Sequence, residues 1–363
     1  MINQRTSRSR TRRKGRRSQS PRGGKRQLLY LGIVLILLGC KYLYEEKLSA
    51  EEPIVNDTEQ VAVPSSSATD SAPASEVPAT EIAPAKPAKN EVTTAAAKSQ
   101  HKTLREGWAE LPAEVEREDF YTTYHMCDDG RRNYTVCFSS EHRCPVWVAS
   151  PMHPSYKGEA PRSDAFIFDP TLPMDVQPLL RRSYGEYTRG HLLGSAERTS
   201  SEQANRQTFY ASNIAPQLQV GFNASNGAWN NWERFADKQS CADTLYVVTG
   251  CLFDDYADAS GLEVKATTTV NKNDGEKVGV PTAYYKVLLR TRSGKTGRSV
   301  RECKADDLKC AAFVVGHYSA KGRKPTAADM MSVEELERLT GFTFFANVPN
   351  APKSKANATD WGL

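Results

Sequence analysis

The first 26 residues contain no acid and eleven lysines or arginines, while the whole chain of 363 residues carries a formal charge of +5, which leaves −6 for the rest. The basic character therefore belongs to one end. It gives no ground for treating the remainder as a broadly basic nucleic-acid-binding surface, so any phosphate contact there must come from a local cluster. Paired CxxC spacings are missing, which argues against a structural zinc site. Long apolar runs are scarce as well. Residues 28–40 form the only one, and thirteen residues fall short of the roughly 20 that a spanning helix needs. Residues 50–100 are almost without aromatics and rich in Ala, Pro, Ser, Thr and Glu, a composition from which no core can form.

These shortages divide the chain. Residues 1–26 read as a solvated basic segment, 27–44 as a signal-peptide apolar region or an uncleaved membrane anchor, and 45–103 as a disordered linker. Residues 104–350 read as the folded domain and 351–363 as a C-terminal tail. Leu37-Leu38-Gly39-Cys40 resembles a lipobox, with Cys40 as the residue that would carry lipid. Either form of attachment predicts a domain held outside the cytoplasm and tethered to a membrane. Eight cysteines are present, seven of them in the folded part. Short spacings suggest disulfides between Cys137 and Cys144, Cys241 and Cys251, and Cys303 and Cys310. Nothing in the sequence sets an oligomeric state.

Within the folded part, residues 133–138 and 145–149 read as a hairpin. Residues 165–169 and 209–213 read as short strands, and 177–183 as a short helix. Trp229, Trp232, Phe235 and Ala236 fit one apolar face of a helix over 228–237. Further strands are expected at 245–249, 262–270, 282–289 and 311–315. A helix over 333–341 carries Ser332 as N-cap, Glu335 as its box partner and Gly341 as C-cap. Strands and helices mix without a regular βαβ repeat, so the expected class is α+β.

One stretch stands out chemically. Tyr187-Thr188-Arg189-Gly190-His191-Leu192 puts a guanidinium and an imidazole beside each other at the end of a strand. Asn223, Asn226 and Glu233 follow on a helix-like segment. An imidazole can deprotonate water near neutral pH, a guanidinium can hold phosphate, and amide and carboxylate oxygens suit a hard divalent cation. The combination points to metal-dependent phosphodiester hydrolysis. Trp229 and Trp232 read as core, Asn213 as a turn residue and His317 as structural.

The stretch resembles the DNA/RNA non-specific endonuclease family, marked by Asp-Arg-Gly-His, an Asn-x-x-Pro-Gln turn and an Asn-bearing helix with Trp and Glu. Here these stand as Thr188-Arg189-Gly190-His191, Asn213-Ile214-Ala215-Pro216-Gln217, Phe222-Asn223 and Trp229-Asn230-Asn231-Trp232-Glu233. Tyr246-Val247-Val248-Thr249-Gly250 and Val280-Pro281-Thr282-Ala283-Tyr284-Tyr285-Lys286 extend the likeness, which covers roughly residues 130–348. The resemblance implies a ββα-metal (His-Me finger) fold and hydrolysis of DNA and RNA. It implies His191 as general base, Arg189 as stabiliser of phosphate charge, Asn223 as direct magnesium ligand with Asn226 as the alternative, and Glu233 acting through metal-bound water. Manganese would substitute for magnesium.

Three positions depart from the family pattern. Thr188 replaces Asp, the segment before Trp229 is two residues longer, and Asp237 stands where a further Arg is usual. Arg162 and Arg198 are candidates for that missing Arg. The departures keep open a catalytically inactive nucleic-acid-binding module on the cell envelope.

Overall fold

Several strands of this chain are apolar on both parities, so the sheet they form needs cover on both faces. The computed structural model describes residue 105 and residues 107–363. The basic segment 1–26, the apolar segment 27–44 and the linker 45–103 lie outside the described residues. Among the described residues the strands are β1 (Phe120–Met126), β2 (Arg132–Ser139), β3 (Cys144–Met152), β4 (Tyr187–His191), β5 (Ile214–Leu218), β6 (Leu245–Leu252), β7 (Tyr256–Ala257), β8 (Glu263–Val264), β9 (Thr267–Val270), β10 (Lys277–Val280), β11 (Ala283–Thr291), β12 (Leu308–Gly316) and β13 (Met330–Met331). The helices are α1 (Glu202–Gln207), α2 (Ala228–Lys238) and α3 (Val333–Thr340).

Seven strands make one antiparallel sheet in the order β1-β2-β3-β6-β11-β12-β13. Along β11, Tyr284 and Leu288 face one core, and Ala283, Tyr285, Val287 and Leu289 face the other. The first core takes Trp229, Trp232 and Ala236 of α2 together with Leu192, Ile214 and Ala215 beside the β4–β5 pair. The second takes Val333 and Leu336 of α3, Phe342, Phe344 and Phe345 after it, and Ala109 and Leu111 from the lead-in. Removing either indole of α2 would cost roughly 3–5 kcal/mol. The α+β class holds. The hairpin, α3 with its Ser332–Glu335 capping box and left-handed Gly341, and the strands expected at 245–249, 282–289 and 311–315 lie where the sequence reading put them, whereas the run 262–270 breaks at 265–266 into β8, paired with β7, and β9, paired with β10.

Other expectations are corrected. Residues 177–183 are not helical. The buried Gln177 amide instead accepts from the Asp169 N–H and donates to the carbonyls of Asp169, Leu172 and Pro173, which folds this stretch by side-chain cross-links. Residues 165–169 form only a single bridge, Ile167 to Tyr210. Residues 211–213 turn in a 3-10 helix, so the strand begins at Ile214. Residues 351–363, set apart in sequence as a tail, pack onto the sheet. Trp361 is buried in the first core beneath Lys309, and Asp360 pairs with Arg292.

The expected disulfides are absent, and all seven described cysteines are free. Cys137 and Cys144 face opposite sides of the sheet, Cys137 in the second core and Cys144 in the first, which excludes a bond between them. Cys251 is buried in the first core, whereas Cys241 is partly exposed and donates to the Asp243 carbonyl. Burial pushes the Cys137 and Cys310 thiols up to about 12, so they stay protonated and behave as small apolar side chains.

Asp243 ties the β11–β12 connection to the start of β6. It accepts from the Thr291 and Thr296 hydroxyls and from the backbone N–H of Thr296 and Gly297. Burial alone would raise its pKa; these donors outweigh it and bring it from 3.8 to about 2. A depressed folded-state pKa stabilises the fold above the unfolded value and is lost as pH falls through the folded one. Acid titration of thermal stability should therefore show a loss between about pH 4 and pH 2 that is reduced in Asp243→Asn, with the variant already less stable at neutral pH.

Candidate functional site

The β4–β5 pair and α2 border a cleft of about 560 Å3. Strand alternation puts Arg189 and His191 on the same side of β4, and both line the cleft. Helical spacing does the same for Asn230, Glu233, Arg234 and Asp237 of α2, while Trp229, Trp232 and Ala236 turn into the core. Asn223 lines the cleft from the turn before α2. Four sequence candidates, His191, Arg189, Asn223 and Glu233, thus share one cavity.

Asn223 is not on the helix. Residues 219–223 form an irregular turn with Gly221 in the left-handed region at φ 77°, and the helix starts at Ala228. The Asn223 amide nitrogen donates to Gln217 Oε1. Among the described residues nothing donates to its carbonyl oxygen, which is the atom a hard cation would take. Asn226 has a different job. It sits at φ 62°, accepts weakly from Asn231 Nδ2 at 3.4 Å, and lies outside the cleft lining.

The Gln217 side chain is fully buried and lies against Gly190. A Cβ at Gly190 would meet the Gln217 side chain at 2.1 Å, so only glycine leaves room for it. Asn213 fixes the end of β4: its Oδ1 accepts from Leu193 N–H, and its Nδ2 donates to the Leu193 and Thr208 carbonyls. Both residues of the Asn-x-x-Pro-Gln turn are therefore cross-links. His317 is structural, accepting from Leu218 N–H at Nε2 and donating to the Pro281 carbonyl at Nδ1.

His191 packs its ring edge-on to Phe209 at 4.8 Å and Phe166 at 5.7 Å, and its Nε2 has no partner. Burial, with a smaller push from the Arg162 charge, drives its pKa down to about 3, so it is neutral and carries a free lone pair. The Arg189 guanidinium lies 3.8 Å over the Phe166 ring and donates from Nη1 to the carbonyls of Leu180 and Arg181. Its Nε and Nη2 make no hydrogen bond among the described residues. Burial raises Glu233 to about 7. The Lys286 charge opposes this rise and Glu197 adds to it. Lys286 is buried under α2, 3.0 Å from Thr249 Oγ1 and 4.8 Å over the Trp229 ring.

Of the candidate second arginines, Arg198 is fully buried and bonded to Asn133, Pro151 and Glu197, so it serves structure. Arg162 lines the cleft and donates to Ser195 Oγ at 3.1 Å. Sequence reasoning missed Phe166, Glu197, Arg234 and Lys157. Lys157 reaches the cleft rim and pairs with Asp237. Only Arg234 could have been found beforehand, from its place next to Glu233 on the cleft side of the helix. Among the described residues no group of three or more His, Cys, Asp or Glu side chains could hold a metal ion. A cation here would rest on Asn223 and water, with Glu233 lining the same cleft. This donor set suits magnesium, which keeps most of its waters.

The sequence matches the DNA/RNA non-specific endonuclease family over residues 120–351. It is 26% identical to mitochondrial endonuclease G of Bos taurus over 225 residues, covering 60% of this chain and 69% of that protein. It is 29% identical to mitochondrial nuclease EXOG of Danio rerio over 241 residues, covering 65% of this chain and 62% of the relative. A solved EndoG/EndoGI complex aligns with a TM-score of 0.49 at 23% identity, over 69% of this chain and 92% of that one. With a match across most of the folded part, the chain belongs to the DNA/RNA non-specific endonuclease family.

Proposed function

We propose that this protein is a magnesium-dependent, sugar-non-specific endonuclease with a ββα-metal site built from β4, β5 and α2. The observation that carries the reading is the shared cleft of His191, Arg189, Asn223 and Glu233, with a free lone pair on the imidazole and a free oxygen on the amide. His191 acts as general base on water. It is neutral across the physiological range and becomes a better base when an anionic phosphate enters beside it. Arg189 stabilises charge on the phosphorus oxygens, because stacking on Phe166 leaves most of its fork free to donate. Asn223 would hold the cation directly and Glu233 would act on it through water, and a bound cation would supply Lewis-acid stabilisation of the phosphate. Contacts to phosphate carry no sequence information and do not involve the 2′-hydroxyl, which fits cleavage of DNA and RNA with little sequence preference.

Localisation rests on sequence alone. We place the domain outside the cytoplasm, tethered through residues 27–44 or through lipid on Cys40. Mass analysis of the mature N-terminus distinguishes the two; a soluble cytoplasmic product with an intact N-terminus would contradict both.

Plasmid cleavage should require a divalent ion, stop with EDTA and return with magnesium or manganese. His191→Ala should lower kcat by about 10²–10⁴ with its melting temperature retained. Tight duplex binding without cleavage in millimolar magnesium would favour the inactive binding module. Gly190→Ala should destabilise the fold by about 1–3 kcal/mol and lower cleavage at least tenfold, because the new methyl displaces Gln217 and with it Asn223. Wild-type rates in Gly190→Ala would show that the Gln217 link does not set the site.

A further inference from the structure

The connection between β12 and β13 lies against the turn that delivers Asn223. Ala320 N–H donates to the Gly221 carbonyl at 3.0 Å, and Gly322 N–H to the Asn226 carbonyl at 2.7 Å. Asn231 Nδ2 of α2 donates to the Arg323 carbonyl at 2.7 Å. A Cβ at Gly221 would meet Ser319 Oγ at 2.2 Å, so the two backbones touch. Lys321 sits between the two anchored residues, Ala320 and Gly322.

This segment is basic. Lys321, Arg323 and Lys324 follow one another with no acid before Asp329. Arg323 is already committed, pairing with Asp258 at 3.1 Å and Asp329 at 2.7 Å. Lys321 and Lys324 are exposed, and among the described residues neither makes an ion pair.

The cleft does not offer a net positive field. It is lined by four basic side chains, Lys157, Arg162, Arg189 and Arg234, and by four acids, Asp164, Glu197, Glu233 and Asp237. Residues 105–363 as a whole carry 31 lysines and arginines against 33 aspartates and glutamates. A polyanion therefore needs cations next to the cleft if it is to dwell there.

We propose that Lys321 and Lys324 form an accessory nucleic-acid contact, gripping backbone phosphates that flank the one held in the cleft. The inference rests on the nuclease reading and adds where the rest of the strand is held. Lysine suits the task as a flexible point charge that meets any phosphate without regard to base. Because its backbone is tied to the Asn223 turn, the grip is fixed relative to the site that cuts.

The test uses the full chain and a labelled short duplex in EDTA, so that affinity is read without cleavage, with plasmid cleavage in magnesium run in parallel. The Lys321→Ala/Lys324→Ala variant should bind more weakly at low salt, and the slope of log affinity against log salt should flatten by about two. The Lys→Arg double variant should keep the wild-type slope. Each single alanine variant should flatten it by about one, which serves if the double variant does not fold. A wild-type slope in the alanine variants overturns the proposal, even if they lose binding to anionic lipid vesicles. A wild type that binds with the expected slope but never cleaves overturns the nuclease reading and leaves the contact standing.

Discussion

One missing side chain sets the geometry of this site. Gly190 leaves a space that the buried Gln217 amide fills, and Gln217 in turn holds the Asn223 amide nitrogen. The strand bearing His191 and Arg189 is thereby coupled through one side chain to the turn bearing the proposed cation ligand. Loss of that space moves two halves of the site relative to each other. The cross-links of Asn213 do the same for the residues just beyond His191. The position of the imidazole is thus set by packing and buried amides rather than by its own hydrogen bonds, which leaves Nε2 without a protein partner.

The electrostatics follow from the same packing. Two phenyl rings desolvate His191 and keep it neutral. One of them, Phe166, also carries the Arg189 guanidinium, so a cation and a neutral base are held close together on one ring. On the helix side, Glu233 is recessed and raised towards neutrality, while the buried Lys286 beneath α2 pulls the other way. A buried lysine without a carboxylate in ion-pair distance is costly unless another field offsets it. Thr249, the Trp229 ring and the nearby Glu233 provide that offset here. The charge balance inside the cleft is near zero, which is why the placement of cations around it matters.

Much of this was legible in the sequence because local signals carried it. Ser332, Glu335 and Gly341 bounded α3, and the spacing of Trp229, Trp232 and Ala236 gave α2 its buried face. His191, Arg189, Asn223 and Glu233 stood out through their motif. What failed depended on distant partners. Residues 177–183 have helix-compatible composition, but Gln177 turns the chain through its own amide. The cysteine spacings suggested bridges, yet strand parity sends Cys137 and Cys144 to opposite faces. Phe166 enters the cleft from an irregular segment and Glu197 from a three-residue 3-10 turn, and no periodicity marks either. Trp361 lay in a stretch set apart as a tail and became core only once the sheet was there to receive it.

The choice between Asn223 and Asn226 as cation ligand tests the account most directly. A crystal of the domain soaked in manganese, measured for anomalous scattering, should show one peak in the cleft about 2.1 Å from Asn223 Oδ1, between His191 and Glu233. A peak bonded to Asn226 instead, or an occupied ion elsewhere with cleavage intact, would contradict it.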